Sequence, residues 1–411
     1  MNNVLNYMEW RGDLPFSADP FNEVDALILA RLSYLDLHGL VDESDTEYNI
    51  QEVEQQYEDS INERFIHFDQ DVKLFKAIAN SKRYHNLKIC RYIEHNDVQK
   101  FKQFAAVTFI IDRKFGYLSF RGTDATFTGW REDLDMTYAD KIPSQTEAVN
   151  YLNHAIKVYP FKHFYIGGHS KGGNLAIAAL AMQHDLKVGK KVEAIYSFDG
   201  PGFPKEIIAT NAYQVALPKI INFIPQSSIV GKLLGHEEKI EIIFSDAVGI
   251  YQHDIYSWEV IANHFNHQQS LTTSSLLIDK TFDDYLDSLS RAQKEEVVSV
   301  IFEIIAASQM DTTRDFTKNF FKIAPDVVGK MLELKSEDRK LLSEAISVIK
   351  NSFMAAAGQE FENYRKAKVE ETEDRFFAYI QEKYGNPQNN RRDWYISINP
   401  FFFIKYLIIF L

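Results

Sequence analysis

One serine in this 411-residue sequence stands in a setting that suits nucleophilic chemistry. Residues 168–172 read Gly-His-Ser-Lys-Gly, which places Ser170 at the centre of a G-x-S-x-G pattern. The run Phe-Tyr-Ile at 164–166 precedes the pattern, and a stretch rich in Leu and Ala follows it. This order predicts a strand, a tight turn that exposes the serine, and a helix whose positive end faces developing negative charge. We therefore predict that Ser170 is a nucleophile.

A serine that transfers acyl groups needs a base, an acid that orients the base, and donors for an oxyanion. His253 follows the last strong strand pattern and is the predicted base. His169 adjoins Ser170 and is expected to point elsewhere on the turn. Three other downstream histidines are alternatives to His253: His236, His264 and His267.

The donors are expected from two places. The segment Phe-Arg-Gly-Thr-Asp at 120–124 closes a strand upstream of the serine, where a backbone or hydroxyl donor would face it. The backbone N–H of Lys171, the residue after the nucleophile, is the second predicted donor.

Short apolar runs alternate with helical patterns between about residues 101 and 275, which predicts an α/β fold with a mostly parallel sheet flanked by helices. The runs lie at 104–111, 117–120, 163–167, 194–198, 220–224 and 240–244. The first two are separated by Asp-Arg-Lys and predict a hairpin. Asp19-Pro20 predicts the start of a helix, and Ser290 with Gln293 predicts a capping box on another.

These patterns divide the chain into four predicted parts. They are an N-terminal helical segment packed on the core (1–100), the α/β core (101–275), a helical C-terminal region or cap (276–385) and an apolar tail (386–411). Its apolar stretch at 394–411 is shorter than the roughly 20 residues that a spanning helix needs. A docked strand, peripheral contact with a membrane surface and an altered reading frame remain open for it.

Composition excludes several classes of function. The formal net charge of −13 and the lack of a long basic run argue against nucleic acid as a partner. The single cysteine, Cys90, rules out a disulfide framework and is interpreted as a buried small hydrophobe. We find no metal-ligand cluster or nucleotide loop and predict no cofactor and no metal. The first thirteen residues lack the apolar segment of a secretory signal, so the expected location is the cytoplasm.

Three motifs together resemble the class 3 lipases, the fungal triacylglycerol type of α/β-hydrolase. They are Leu-Ser-Phe-Arg-Gly-Thr at 118–123, Trp-Arg-Glu-Asp-Leu at 130–134 and Gly-His-Ser-Lys-Gly-Gly at 168–173. More closely, the chain is similar to a bacterial lipase-like family of unknown function related to them, over roughly residues 100–260. The resemblance implies that Thr123 is an oxyanion donor, Ser170 the nucleophile and His253 the base.

The chain departs from those lipases where they carry the acid of the triad. The matching segment here is Ile-Asn-Phe-Ile-Pro-Gln-Ser-Ser at 221–228, and Ser228 stands where the aspartate is expected. Asp199, at the end of the strand pattern 194–198, is the predicted substitute. Asp246 is the second choice, and Asp254 is too close in sequence to His253 to orient it easily.

Two classes of function follow from this pattern. The first is a serine hydrolase that cleaves a carboxylic ester or lipid-like acyl substrate through an acyl-enzyme; acyl-thioester or peptide hydrolysis would use the same groups. The second is a weak or inactive lipase-like fold that binds a lipid or a protein partner. The substituted acid position favours the second, and the serine in its strand–turn–helix setting favours the first.

Overall fold

A computed structural model describes residues 1–57, 67–160, 162–247, 249–272, 275–276 and 284–348. The chain forms two compact units. The first comprises Met1–Ala247 and Tyr251–Thr272, and the second comprises Val248–Ile250 and Thr273–Leu411. Every predicted site residue belongs to the first unit. The apolar tail at 386–411 lies outside the described residues.

The first unit is built on an eight-stranded sheet whose strands lie side by side in chain order. The strands are β1 (Tyr48–Asn49), β2 (Lys88–Asp97), β3 (Lys102–Ile110), β4 (Phe115–Phe120), β5 (His163–His169), β6 (Val192–Phe198), β7 (Ile220–Pro225) and β8 (Lys239–Ile243). Pairing is antiparallel from β1 to β4 and parallel from β4 to β8. The predicted hairpin is β3–β4. A separate two-stranded ribbon joins β9 (Val260–Ile261) to β10 (His264–Phe265).

Helices cover both faces of this sheet, which confirms the predicted α/β class. They are α1 (Val4–Arg11), α2 (Glu23–Leu32), α3 (Ile50–Gln56), α4 (Phe68–Ala79), α5 (Phe127–Asp135), α6 (Pro143–Val158), α7 (Lys171–Ala181), α8 (Lys205–Ile208) and α9 (Asn211–Ala216). Successive residues of β4 serve opposite cores, because side chains alternate across a strand. Tyr117 packs with Leu27 of α2, whereas Leu118 packs with Leu152 of α6 and Leu175 of α7.

The N-terminal hundred residues differ from the sequence interpretation in two ways. They contribute β1 and β2 to the sheet, so this part is not only a helical covering. The charged residues that interrupt the apolar positions of β2 concealed the strand. In addition, α2 begins at Glu23 rather than at Pro20, because Asn22 caps it and exchanges hydrogen bonds with Asp25 in a capping box.

The described part of the second unit is helical. It contains α10 (Arg291–Ala307), α11 (Thr313–Lys318) and α12 (Phe320–Glu333), followed by helical residues 336–348. Ser290 and Gln293 form the predicted capping box at the start of α10. None of the helices in the described ranges is long and apolar enough to cross a lipid bilayer.

Candidate active site

Ser170 occupies a strained turn between β5 and α7. Its backbone angles are φ 61° and ψ −133°, a region that residues with side chains rarely adopt. Two glycines make the turn sterically feasible. A Cβ on Gly168 would lie 2.5 Å from the carbonyl oxygen of Phe120, and a Cβ on Gly172 would overlap that same oxygen. The turn presents Ser170 at the end of β5, where the side chain is partly exposed.

His253 and Asp199 are in direct contact. His253 Nδ1 lies 2.6 Å from Asp199 Oδ2, and the Asp199 side chain is only 1% exposed. Since a carboxylate accepts hydrogen bonds, Nδ1 carries a hydrogen, and the neutral form of this imidazole has its lone pair on Nε2. Within the described residues, Ser170 and His253 share no hydrogen bond. In unliganded sites such bonds are often long and tighten when substrate binds.

Ser228 contacts the other oxygen of the same carboxylate. Its hydroxyl donates to Asp199 Oδ1 at 2.5 Å, and the backbone N–H of Gly231 donates to that oxygen at 3.1 Å. Asp199 itself has φ 52°, a left-handed conformation that is uncommon for aspartate, and follows directly after β6. The carboxylate therefore comes from the end of β6, and the serine at the expected acid position on the β7 side hydrogen-bonds to it.

The segment after β4 passes directly beside the nucleophile. A Cβ on Gly122 would lie 3.1 Å from Ser170 Cβ and 2.5 Å from the carbonyl oxygen of His169, so only glycine fits there. The next residue, Thr123, donates its hydroxyl hydrogen to Asp133 Oδ2 at 2.5 Å. To bind a substrate oxygen, this hydroxyl has to turn away from Asp133. The backbone N–H of Lys171 lies in the first turn of α7, where amides have no partner inside the helix.

Thr123→Val tests whether the threonine hydroxyl contributes to oxyanion binding. We expect kcat for ester hydrolysis to fall by about 100- to 1000-fold, the usual cost of losing one such donor. Thr123→Ser, which retains a hydroxyl, is the matched control and should stay within about tenfold of the wild type. A Thr123→Val enzyme within about threefold of the wild type would exclude the hydroxyl as a donor.

The side chain of Lys171 turns inward and forms a buried ion pair that the sequence patterns do not predict. Its ammonium, 1% exposed, lies 3.0 Å from Glu132 Oε2 and 3.6 Å from Asp133 Oδ1. It also donates to the backbone and side-chain oxygens of Gln103, each at 3.1 Å. Burial acts to lower the pKa of Lys171, but the two carboxylates outweigh it and hold the pKa above its usual value.

The carboxylates of Glu132 and Asp133 differ in the number of hydrogen bonds that they accept. Glu132 accepts further hydrogen bonds from the backbone N–H of Gln103 and from the N–H and hydroxyl of Ser144. Burial raises the pKa of Asp133 to about 6, although the Lys171 ammonium opposes the shift. The cluster thus fastens α5, which carries both carboxylates, to β3 and to the first residues of α6 and α7.

Removing the ammonium of Lys171 should destabilise the fold. We expect Lys171→Met to lower the free energy of unfolding by about 3–5 kcal/mol, because Glu132 would be left as an uncompensated buried charge. The double variant Lys171→Met/Glu132→Gln removes that charge and should recover part of the loss. Urea unfolding of the wild type and both variants measures this. A loss below about 1 kcal/mol in the single variant would contradict a tightly buried pair.

The remaining candidates lie away from this arrangement. Asp254 caps a short 3₁₀ turn through the N–H of Tyr256, and Asp246 is exposed. The alternative histidines have acidic or backbone partners of their own: His236 contacts Glu238, His264 contacts its neighbour's carbonyl, and His267 contacts Glu23. Of the downstream histidines, His253 is therefore the one that meets Asp199.

Two other sequence interpretations concern groups outside this arrangement. Cys90 is fully buried beside the Tyr159 hydroxyl, and burial raises the pKa of its thiol to about 12, as expected for a structural residue. Asp36, His38 and Glu94 bring potential metal-ligand atoms within 4.8 Å of one another. However, both oxygens of Glu94 accept from Arg121, each at 3.1 Å, so this group does not offer three free ligands.

Comparison with known proteins places the chain in a family. The protein-family model described as Mbeg1-like matches residues 78–303, which is more than half of the chain. The chain belongs to the Mbeg1-like family. No curated protein matches its sequence. The matched range of this Mbeg1-like chain contains the Ser170 turn, Asp199 and His253. The first 77 residues lie outside it.

Several solved lipases are similar to this Mbeg1-like chain at low sequence identity and low TM-score. A lipase of Rhizomucor miehei, in complex with its propeptide, is 17% identical over 55% of this chain and 68% of its own, with a TM-score of 0.34. The Lip2 lipase of Yarrowia lipolytica is 13% identical over 62% of this chain and 87% of its own, with a TM-score of 0.36. Similarities this distant do not transfer residue roles.

Proposed function

We propose that this chain is a serine hydrolase that cleaves a carboxylic ester or lipid-like acyl compound. Ser170 is the nucleophile, His253 the base and Asp199 the acid that orients it. Lys171, through its backbone, and Thr123 bind the oxyanion. The observation that carries the proposal is the contact of His253 Nδ1 with a buried carboxylate, beside a serine held on a strained turn.

The chemistry follows from this assignment. Ser170 Oγ bonds to the substrate carbonyl carbon while its proton passes to His253 Nε2, and the carbonyl oxygen becomes an oxyanion. Collapse of this intermediate breaks the ester bond, and the leaving alcohol takes the proton from Nε2. Water then attacks the acyl-enzyme, gives its proton to Nε2, and Ser170 regains that proton as the carboxylic acid leaves. Asp199 stabilises the imidazolium in both halves.

The alternative of an inactive binding protein drew its support from the serine at the expected acid position. The contacts of Asp199 with both His253 and Ser228 favour an enzyme. They place a carboxylate beside the proposed base, His253, although that carboxylate comes from the end of β6 and not from the β7 side. Hydrolysis of p-nitrophenyl esters from acetate to laurate by the purified full chain tests the proposal. We expect saturable turnover, and binding of the longer esters without turnover would support the alternative.

A further inference from the structure

His169, the residue before the nucleophile, touches the backbone of the proposed base. It ends β5, and its imidazole is almost fully buried. Nε2 lies 2.8 Å from the carbonyl oxygen of His253, and the two imidazole rings are 4.4 Å apart between centroids. Nδ1 lies 3.2 Å from the hydroxyl of Tyr34. Both ring nitrogens of His169 are therefore engaged.

The directions of these hydrogen bonds follow from the protonation states. Burial, assisted by the neighbouring His253, holds the pKa of His169 well below its usual range, so the ring is neutral and carries one hydrogen. A backbone carbonyl only accepts, which places that hydrogen on Nε2. Nδ1 then accepts from Tyr34, whose pKa is raised by burial so that the phenol keeps its proton. Tyr34 donates to His169, and His169 donates to His253.

Tyr34 is held in place by its neighbour Arg31, which other residues of the N-terminal part anchor in turn. The guanidinium of Arg31 lies 4.1 Å above its ring and forms a buried, bidentate pair with Asp71 at 2.5 and 2.8 Å. Asp71 also accepts from the hydroxyl of Tyr256 at 2.7 Å. Tyr34, Arg31 and Asp71 all precede the residues that match the family model. The N-terminal segment thus reaches the centre of the site.

We propose that His169, oriented by Tyr34, is a positioning residue that fixes the backbone of His253 and so directs Nε2 towards Ser170. This inference rests on the proposed function. Asp199 restrains only one end of the imidazole of His253, and the residue lies in a short 3₁₀ turn outside the sheet. A hydrogen bond from the end of β5 to the carbonyl oxygen of His253 restrains the backbone of that residue. Since Ser170 follows His169 directly, the same strand end fixes the positions of both the nucleophile and the base.

The test compares three variants in the full chain. His169→Met removes the donor and should lower kcat for p-nitrophenyl butyrate by about 100-fold with KM nearly unchanged, since a small misplacement of a reacting group has this effect. His169→Gln retains an N–H at about the position of Nε2 and should restore kcat to within about tenfold of the wild type. Tyr34→Phe should lower kcat about fivefold, and have no further effect in the His169→Met background.

The outcomes separate this inference from the proposed function. If the wild type neither hydrolyses the ester nor reacts with a fluorophosphonate, the proposed function fails and the positioning role fails with it. If the wild type is active and His169→Met retains its kcat, only the positioning role is overturned. Equal losses in the Met and Gln variants would also overturn it, because a merely structural histidine would not be rescued by a matched donor. Should His169→Met not fold, Tyr34→Phe with unchanged kcat is the overturning result.

Discussion

Ser170→Ala is expected to reduce ester hydrolysis to the background of the assay, a loss on the order of 10⁶-fold in kcat when the members of a triad act as one unit. The reason is that no other group in the site replaces the attacking oxygen. Alanine at position 170 experiences the same unfavourable φ of 61° as serine, so the thermal midpoint should not change. Initial rates with p-nitrophenyl butyrate and a melting curve measure the two effects.

A glycine at the same position is the useful control. Ser170→Gly should also be inactive, but it should melt no lower than the wild type, because glycine adopts positive φ without a steric cost. If both variants keep substantial activity while folding normally, the hydrolysis arises elsewhere or from a contaminant. If both unfold, Ser170 has a structural role that the geometry of the turn does not suggest.

Asp199→Asn is expected to lower kcat on the order of 10⁴-fold, the loss typical when the carboxylate that orients a catalytic histidine becomes an amide. The amide would present an N–H to Nδ1 of His253, which stabilises the wrong tautomer and gives no charge to balance the imidazolium. The measurement is kcat/KM at a pH where the wild type is fully active, alongside His253→Ala. His253→Ala should be nearly as impaired as Ser170→Ala and more impaired than Asp199→Asn, because it removes the base itself rather than the group that orients it.

Two further variants identify the acid. Ser228→Ala removes one donor to Asp199 but leaves the N–H of Gly231, so we expect a loss below about tenfold. Asp246→Asn changes an exposed residue and should have no effect. If Asp246→Asn abolishes activity while Asp199→Asn does not, the acid is Asp246. If only Ser228→Ala matters, the site works as a Ser-His-Ser arrangement.

Much of the sheet was readable in the sequence because parallel strands buried on both faces consist of continuous apolar residues. This holds for the parallel strands β5 and β7 and, although its pairing is antiparallel, also for β3. The helix α7 is likewise buried along its whole length. The strand β2 was missed because it is interrupted by charged residues, including Arg91 and Glu94, which find partners only in the folded chain. Asp19-Pro20 predicts a helix start that lies at Asn22 in the structure, since local pattern alone does not choose between neighbouring caps.

The composition of the candidate site was predictable where the chemistry of one residue requires a second residue of a particular type. A nucleophilic serine requires a histidine, and with a serine at position 228 the carboxylate is expected from the end of the neighbouring strand, where Asp199 contacts His253. The contacts of Lys171 and His169 were not predictable in this way. His169 meets Tyr34 across 135 positions of sequence, and no local pattern connects them. A lysine at the start of an apolar helix was the one available signal for the buried pair with Glu132.

The central claim, that Ser170 is an activated nucleophile, is tested most directly by mass spectrometry of the full chain after reaction with a fluorophosphonate. The account predicts one phosphonyl adduct per chain, located on the peptide that contains Ser170, and no adduct in Ser170→Ala. It also predicts much slower labelling in His253→Ala, because the base activates the serine. An unlabelled wild type, or an adduct on another residue that persists in Ser170→Ala, would contradict the account.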